Sequence, residues 1–133
     1  MIQVLNFIDE AMGKIKCKED LNSTSDKHID SNYFEITDFS LEPLTTHPGQ
    51  VVTDIATFNV SIFNRVRNTR DFFEKFGQAQ QVRVKVANPI LAKKYGITNV
   101  ELGSLVSDVI GEEETQRSFV FNVRLRINSE GIL

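Results

Sequence analysis

Two segments in which apolar and polar residues alternate constrain the fold most strongly. From residue 118 to residue 127 every second side chain is apolar, namely Phe119, Phe121, Val123, Leu125 and Ile127. Residues 55–65 repeat this pattern with Phe58, Val60 and Ile62. Because successive side chains of a β-strand point to opposite faces, a period of two predicts two strands with one buried face each. The other face is predicted to meet water or a wet partner surface, and its residues are Asn59, Ser61, Asn122, Arg124 and Arg126.

Two longer segments carry the helical period instead. In residues 1–16 apolar side chains recur at steps of three and four, which predicts an amphipathic helix with one core face. Asn68 or Thr69 is the expected N-cap of a second helix that runs to about Ala87. Asp71 falls in its first turn, where the helix dipole favours an acid.

The region between the second helix and the last strand is predicted to hold a short helix and a broken strand. Asn88 and Pro89 suit the N-cap and first position of a helix, and Gly96 suits its left-handed end. Residues 97–110 are rich in Val, Ile and Leu but are interrupted by Gly103, which favours a bend or break. This broken strand and the last strand are expected to pair as a hairpin.

Two irregular stretches separate these elements. Residues 17–31 contain few apolar groups and many turn formers, which predicts an exposed loop with Cys17 at the surface or half-buried. A short strand over 33–37 follows. Residues 38–54 contain two prolines and a glycine, and are predicted to form a second long loop. Since so long a loop is unusual in a compact domain, its apolar residues, Phe39 and Leu44 among them, are candidates for subunit contacts.

The order of elements predicts one α+β domain over residues 1–133. Its core is expected to lie between a single, mostly antiparallel β-sheet and two main helices packed on one face of that sheet. The chain has 15 Lys and Arg against 18 Asp and Glu, a net charge of −3, which argues against a general nucleic-acid binder. No apolar run approaches the ~20 residues of a membrane span.

No pattern in the sequence indicates catalysis, a cofactor or a metal site. A single cysteine rules out an internal disulfide and favours a reducing compartment. Asp26, His28 and Asp30 could offer metal ligands, but in a predicted loop they predict no specific site. There is no phosphate-binding glycine loop and no nucleophile elbow.

Charged residues provide the remaining candidates for function. Arg65, Arg67 and Arg70 form the one local excess of positive charge. Glu112, Glu113 and Glu114 are consecutive, so their side chains diverge and indicate a charged turn rather than a shared acid–base site. The two groups are candidates for contacts between neighbouring subunits, whereas phosphate binding by the arginines is the alternative.

The last hairpin resembles that of the tail terminator, or neck terminator, proteins of tailed bacteriophages. In that family an acidic turn precedes an Arg and a small residue that open the final strand, and Glu114, Arg117 and Ser118 match this pattern. The resemblance implies a structural protein of the virion tail or neck that is not an enzyme and is assembled in the host cytoplasm. It further implies a hexameric ring that caps the tail tube, ends tube polymerisation and presents the head-joining surface. The implied partners are further copies of the chain, the tail-tube protein, and head completion or neck proteins.

Three alternatives remain open at this point. The chain could be another small virion component, such as a head completion or tail-tube protein. It could be a small cytoplasmic enzyme or ligand-binding domain with a pocket between sheet and helices. A nucleic-acid-binding module is disfavoured by the net charge. The candidate interface residues are Arg65, Arg67, Arg70, Glu112, Glu113, Glu114, Phe39 and Leu44.

Overall fold

The computed structural model describes residues 2–18, 32–44, 53–110 and 115–128. Its elements are α1 (Ile2–Met12), β1 (Lys16–Cys17), β2 (Tyr33–Pro43), β3 (Thr53–Arg65), α2 (Thr69–Val86), α3 (Pro89–Lys94), β4 (Ile97–Leu102), β5 (Val106–Val109) and β6 (Gln116–Asn128). They form one mixed sheet in the order β1-β2-β3-β6-β4, with β5 also paired to β6. Only β1 and β2 pair in parallel, so the predicted α+β class with a mostly antiparallel sheet is confirmed.

The two alternating segments form the centre of this sheet. β3 and β6 pair along their whole lengths, from Thr53 opposite Asn128 to Arg65 opposite Gln116. This register sets Val60 opposite Phe121, so that the apolar side chains of both strands share one face, where they are buried. The period of two therefore predicted both strands and their buried face correctly.

The helices cover that buried face. α1 contributes Phe7 and Ile8 to the same core, and α2 contributes Val82 and Val86. α1 is shorter than predicted, because Gly13 takes a left-handed conformation (φ 67°) that ends it after Met12. No helix in the described ranges is long and apolar enough to cross a membrane.

The predicted helix caps are confirmed. The Asn68 side chain accepts a hydrogen bond from the Asp71 backbone N–H at 2.9 Å, so Asn68 rather than Thr69 is the N-cap of α2. Asn88 accepts in the same way from the N–H of Ile90 at 2.9 Å at the start of α3.

The predicted broken strand is also confirmed. β4 and β5 lie one after the other along the same edge of β6, and the chain breaks between them at Gly103. The Gly103 N–H donates to the Asn122 carbonyl at 2.8 Å, and a Cβ at Gly103 would lie 3.3 Å from that of Asn122. Arg83 of α2 donates through Nε to the Gly103 carbonyl at 2.9 Å, which ties the helix to the break.

The predicted loop over 17–31 is wrong at its start. Cys17 lies in β1, beside Phe34 of β2, and its side chain is buried at 7% exposure rather than at the surface. Local composition did not reveal this pairing, because a two-residue strand carries no periodic pattern of its own. Residues 19–31, and with them Asp26, His28 and Asp30, lie outside the described residues.

The predicted loop over 38–54 is wrong at both ends. β2 continues to Pro43 and β3 begins at Thr53, while residues 45–52 lie outside the described part of the chain. β2 continues past a β-bulge. Thr37 lies opposite Asn59 and Ser40 opposite Thr57, so that Asp38 and Phe39 together lie opposite the single residue Phe58. Pro43 is tolerated because it ends a strand that is an edge at this point.

Candidate subunit interface

The three arginines singled out in the sequence lie together at one end of the sheet. Arg65 ends β3, Arg67 lies in the connection to α2, and Arg70 is in the first turn of that helix. All three are exposed. The connection is held by Asp71, whose carboxylate accepts a hydrogen bond from the Arg67 backbone N–H at 3.0 Å.

In the sequence, the predicted acidic turn falls between β5 and β6. Glu112, Glu113 and Glu114 lie outside the described residues, but both flanks of the turn are placed. The N–H of Ile110 donates to the Gln116 carbonyl at 2.9 Å, and the N–H of Val66 donates to the Thr115 carbonyl at 2.6 Å. The chain that follows the acidic residues therefore reaches the basic connection, a neighbourhood that the sequence did not predict.

A cleft lies between this connection and the start of β6. It is open to solvent, has a volume of about 360 Å³, and is lined by Val66, Arg67, Asn68, Thr69, Phe72, Thr115 and Arg117. The Arg117 guanidinium carbon lies 5.1 Å from the centre of the Phe72 ring. Its Nε is buried and has no hydrogen-bond partner among the described residues.

Sequence reasoning did not identify this cleft, although one signal for it was present. Arg117 occupies an odd-numbered position of β6, the phase that otherwise carries the buried residues Phe119 and Phe121. An arginine in the apolar phase of a strand indicates a charge held against the core, which is unusual without a partner.

The predicted contacts Phe39 and Leu44 belong to one edge of the sheet. Beyond the bulge, β2 pairs with β3 on one side, and β1 reaches only Tyr33 and Phe34 on the other. Phe39 stacks on the buried Phe58 ring at 5.7 Å, yet Phe39 and Leu41 each remain 42% exposed. Leu44 is half-buried, and its N–H donates to the Thr53 carbonyl at 2.8 Å.

The opposite edge is formed by β4 and β5. In the described part of the chain β5 pairs only with β6. Val106 and Val109 on β5 are 54% and 45% exposed. The sheet thus presents two different edges, and each carries partly exposed apolar side chains.

The polar face of the sheet is only partly as predicted. Asn122, Arg124 and Arg126 are exposed. Asn122 donates from Nδ2 to the Asn59 side chain and to the Phe58 carbonyl, both at 3.1 Å. Ser61 was expected at the surface but is buried, because it is a small residue between Glu35 on β2 and Val120 on β6.

The ionisable groups with shifted pKa values form a tether between α1 and α3. The Glu10 carboxylate accepts from Lys94 Nζ at 2.6 Å and from the Tyr95 hydroxyl at 2.8 Å. Hydrogen bonds from Lys94 and Tyr95 lower the pKa of Glu10, and the bonds to Glu10 raise the pKa values of Lys94 and Tyr95. Among the described residues no group of three or more His, Cys, Asp or Glu is placed to hold a metal ion.

Comparison with known proteins gives a match in fold but not in sequence. No protein-family model matches the chain, and no curated protein matches it. The fold is similar to that of a chain in the virion of a native gene transfer agent particle, with a TM-score of 0.53 and 8% identity. The similarity covers 91% of this chain and 84% of that one, so nearly the whole arrangement of sheet and helices is shared.

Proposed function

We propose that this chain is a structural, non-enzymatic component of a phage-like virion. The observation that carries the proposal is the similarity in fold to a chain of the gene transfer agent virion, which extends over nearly the whole of both chains. We assign it more narrowly to the subunit of a ring that caps the tail tube, ends polymerisation and offers the head-joining surface. This finer assignment is supported by the terminator-like hairpin, in which Glu114, Arg117 and Ser118 match the family pattern.

The directions of the strands favour assembly as a ring. β2, β3 and β6 alternate in direction, and β4 and β5 run antiparallel to β6, so the two edges of the sheet run antiparallel to each other. In a closed ring every subunit has the same orientation relative to the axis. If the strands run along that axis, the β4–β5 edge of one subunit meets β2 of the next in the antiparallel sense.

The exposed side chains at the two edges support the same contact. Edge strands of soluble proteins are ordinarily protected by charges, prolines or covering segments, since a bare edge invites pairing with another chain. Here Phe39 and Leu41 on one edge, and Val106 and Val109 on the other, are partly exposed apolar residues. Two different surfaces that meet head to tail are what a heterologous ring contact requires.

The mass of the protein in solution, measured by light scattering over a concentration series with negative-stain images, tests this function. Closed rings of about six subunits are expected. Long tubes would instead assign the chain to the tail tube. A monomer at every concentration would contradict self-assembly and would favour a ligand-binding domain.

A further inference from the structure

We propose that the groove between α3 and β4 binds the Leu41 side chain of a second copy of this chain. The inference rests on the proposed function, because it starts from the contact between sheet edges and names the two surfaces that meet there. Leu41 is on the β2 edge of the sheet and the groove is on the β4 edge, so each subunit carries both halves of a head-to-tail contact.

The groove has the size and lining to hold an aliphatic side chain. Its volume is about 180 Å³. Five of its seven lining residues are apolar, namely Ala87, Pro89, Ala92, Ile97 and Val100. The hydroxyl of Thr98, which also lines the groove, already donates to the Arg126 carbonyl at 3.3 Å. A cavity of about 150 Å³ holds a benzene molecule, so the groove has room for one leucine side chain.

Leu41 and the groove lie on the same side of the sheet. Leu41 is 42% exposed and lies opposite Ala56 of β3, which is fully buried. Residues directly opposite each other on antiparallel strands share a face, so Leu41 lies on the face that the helices cover. Val100 of the groove lies opposite the buried Leu125 of β6 and is on this face too.

The register of the sheet places Leu41 and Val100 at the same height along the strands. Leu41 lies opposite Ala56, which in turn lies opposite Leu125. Leu125 lies opposite Val100. Rotation about an axis parallel to the strands does not change the height of any residue. In the proposed ring, Leu41 of the next subunit therefore reaches the β4 edge level with Val100.

The same register sets Phe39, the other exposed apolar residue of β2, apart from Leu41. Phe39 lies beside Phe58 at the bulge, and Phe58 lies opposite Val123. Val123 lies opposite Leu102, so Phe39 of the next subunit arrives level with Leu102, which is not one of the groove residues. The Phe39 ring is also stacked on Phe58 of its own subunit at 5.7 Å. Leu41 is thus the side chain that fits the groove.

Disulfide cross-linking tests this contact. Leu41→Cys and Val100→Cys are made as two separate proteins, each with Cys17→Ala, and are mixed under oxidising conditions. On a non-reducing gel we expect at least tenfold more cross-linked dimer from the mixture than from either protein alone. Glu101→Cys in place of Val100→Cys is the matched control, because Glu101 is the next residue of β4 but lies on the polar face, opposite Arg124. Equal cross-linking by the Val100 and Glu101 variants, or none by either, would overturn the proposal.

Two substitutions test each half of the contact without cysteines. Leu41→Ala removes the side chain that enters the groove, and Ala87→Lys puts a charge on an exposed residue of its lining. We expect each to weaken ring formation at least tenfold in light scattering. The double variant should be no weaker than the worse single one, because both changes disrupt one contact. Val84→Lys, on α2 three residues before Ala87, is the matched control. Additive losses, or an Ala87→Lys variant that assembles like the parent chain, would contradict binding in the groove.

The groove and the ring fail in distinguishable ways. Rings that form without preferential cross-linking at Val100 would keep the ring and remove the groove. Cross-linked dimers from a chain that never forms rings would keep the contact and contradict the ring. A monomer that does not cross-link would contradict both.

Discussion

Asp38 takes a left-handed backbone conformation (φ 54°) inside β2, at the bulge where the register of β2 against β3 shifts. Its carboxylate accepts a hydrogen bond from the Asn59 side chain at 3.2 Å across the bulge. For a residue without such a local hydrogen bond, this conformation costs about 1–2 kcal/mol of free energy, whereas glycine adopts it at almost no cost.

We therefore expect Asp38→Val to lower the free energy of unfolding by about 1–2 kcal/mol. Asp38→Gly is expected to change it by less than half of that, because the loss of the exposed hydrogen bond is offset by relief of the backbone. Urea denaturation of the two variants beside the parent chain measures the difference. A Val variant as stable as the Gly variant would contradict the role assigned to the bulge.

Glu10 offers a second prediction at the same scale, in the form of a pH dependence. Hydrogen bonds from Lys94 and Tyr95 lower its folded-state pKa below the ordinary value of 4.5. A depressed carboxyl pKa contributes stability that is present above the unfolded pKa and is lost as the pH falls through the folded one. The raised pKa of Lys94 acts at the other end: its contribution is present below 10.5 and is lost as the pH rises through the folded value.

Glu10→Gln is accordingly expected to be slightly less stable than the parent chain at neutral pH. The gap should close as the pH falls through the lowered pKa of Glu10, since the parent then carries a neutral side chain as well. Urea midpoints between pH 7 and pH 3 record this, with Glu74→Gln, an exposed acid on α2, as the control. If the difference in stability between Glu10→Gln and the parent persisted at pH 3, the contact of Glu10 with Lys94 and Tyr95 would not depend on the charge of Glu10.

Residue patterns predicted Asn68 and Asn88 as caps because a cap depends on a few neighbouring residues. The left-handed backbone of Asp38 and the burial of Cys17 depend on strands that are distant in the chain, so local composition could not reveal them. The position of Arg117 against Phe72 likewise requires knowing which face of α2 meets β6.

At the scale of elements, the two sheet edges carry the prediction that bears most directly on assembly. Lysine on an edge strand discourages pairing with another chain. We expect Leu41→Lys on β2 and Val109→Lys on β5 each to keep the protein monomeric in light scattering. Circular dichroism and the urea midpoint should remain close to those of the parent, because both side chains are already partly exposed.

Val84→Lys is the matched control for the edge variants. Val84 is as exposed as the edge residues, at 58%, but it lies on α2 rather than on a strand. This variant should assemble like the parent chain. Edge variants that still form rings, or a Val84 variant that does not, would move the subunit contact from the sheet edges to the helices.

The elements themselves were predictable to the extent that their signals are local. β3 and β6 were predicted from apolar residues at every second position, and α2 from apolar residues at steps of three and four. β2 was predicted too short, since the bulge shifts its phase after Thr37 and two prolines favoured a loop. The whole sheet order depends on long-range pairing, and only the β5–β6 hairpin was predicted from neighbouring segments.

For the whole molecule, the basic connection and the acidic turn were predicted as two separate patches. The described residues show instead that Thr115, next to Glu114 in the chain, bonds to Val66 between Arg65 and Arg67. The basic connection and the residue that follows the acidic turn in the chain therefore lie at the same end of the sheet, a relation that only the pairing of β3 with β6 establishes. In the proposed ring, the three arginines lie on one rim and stay candidates for contacts with the neighbouring subunit.

Charge reversal of this rim tests whether it takes part in assembly. Because Arg67 and Arg70 are exposed, replacing Arg65, Arg67 and Arg70 with Glu is expected to weaken ring formation at least tenfold without unfolding the subunit. Light scattering with circular dichroism measures both properties. The Arg67 and Arg70 double variant checks that the effect does not depend on Arg65, which has further contacts within the subunit.

Reversal of Arg124 and Arg126, two exposed arginines on the polar face, is the matched control and should leave rings intact. Phe121→Asp, unlike these surface variants, should prevent the subunit from folding, because it puts a charge at a fully buried position of β6. Rings that survive reversal of all three rim arginines would remove them from the interface. Assembly would then depend on the sheet edges alone, where the apolar side chains lie.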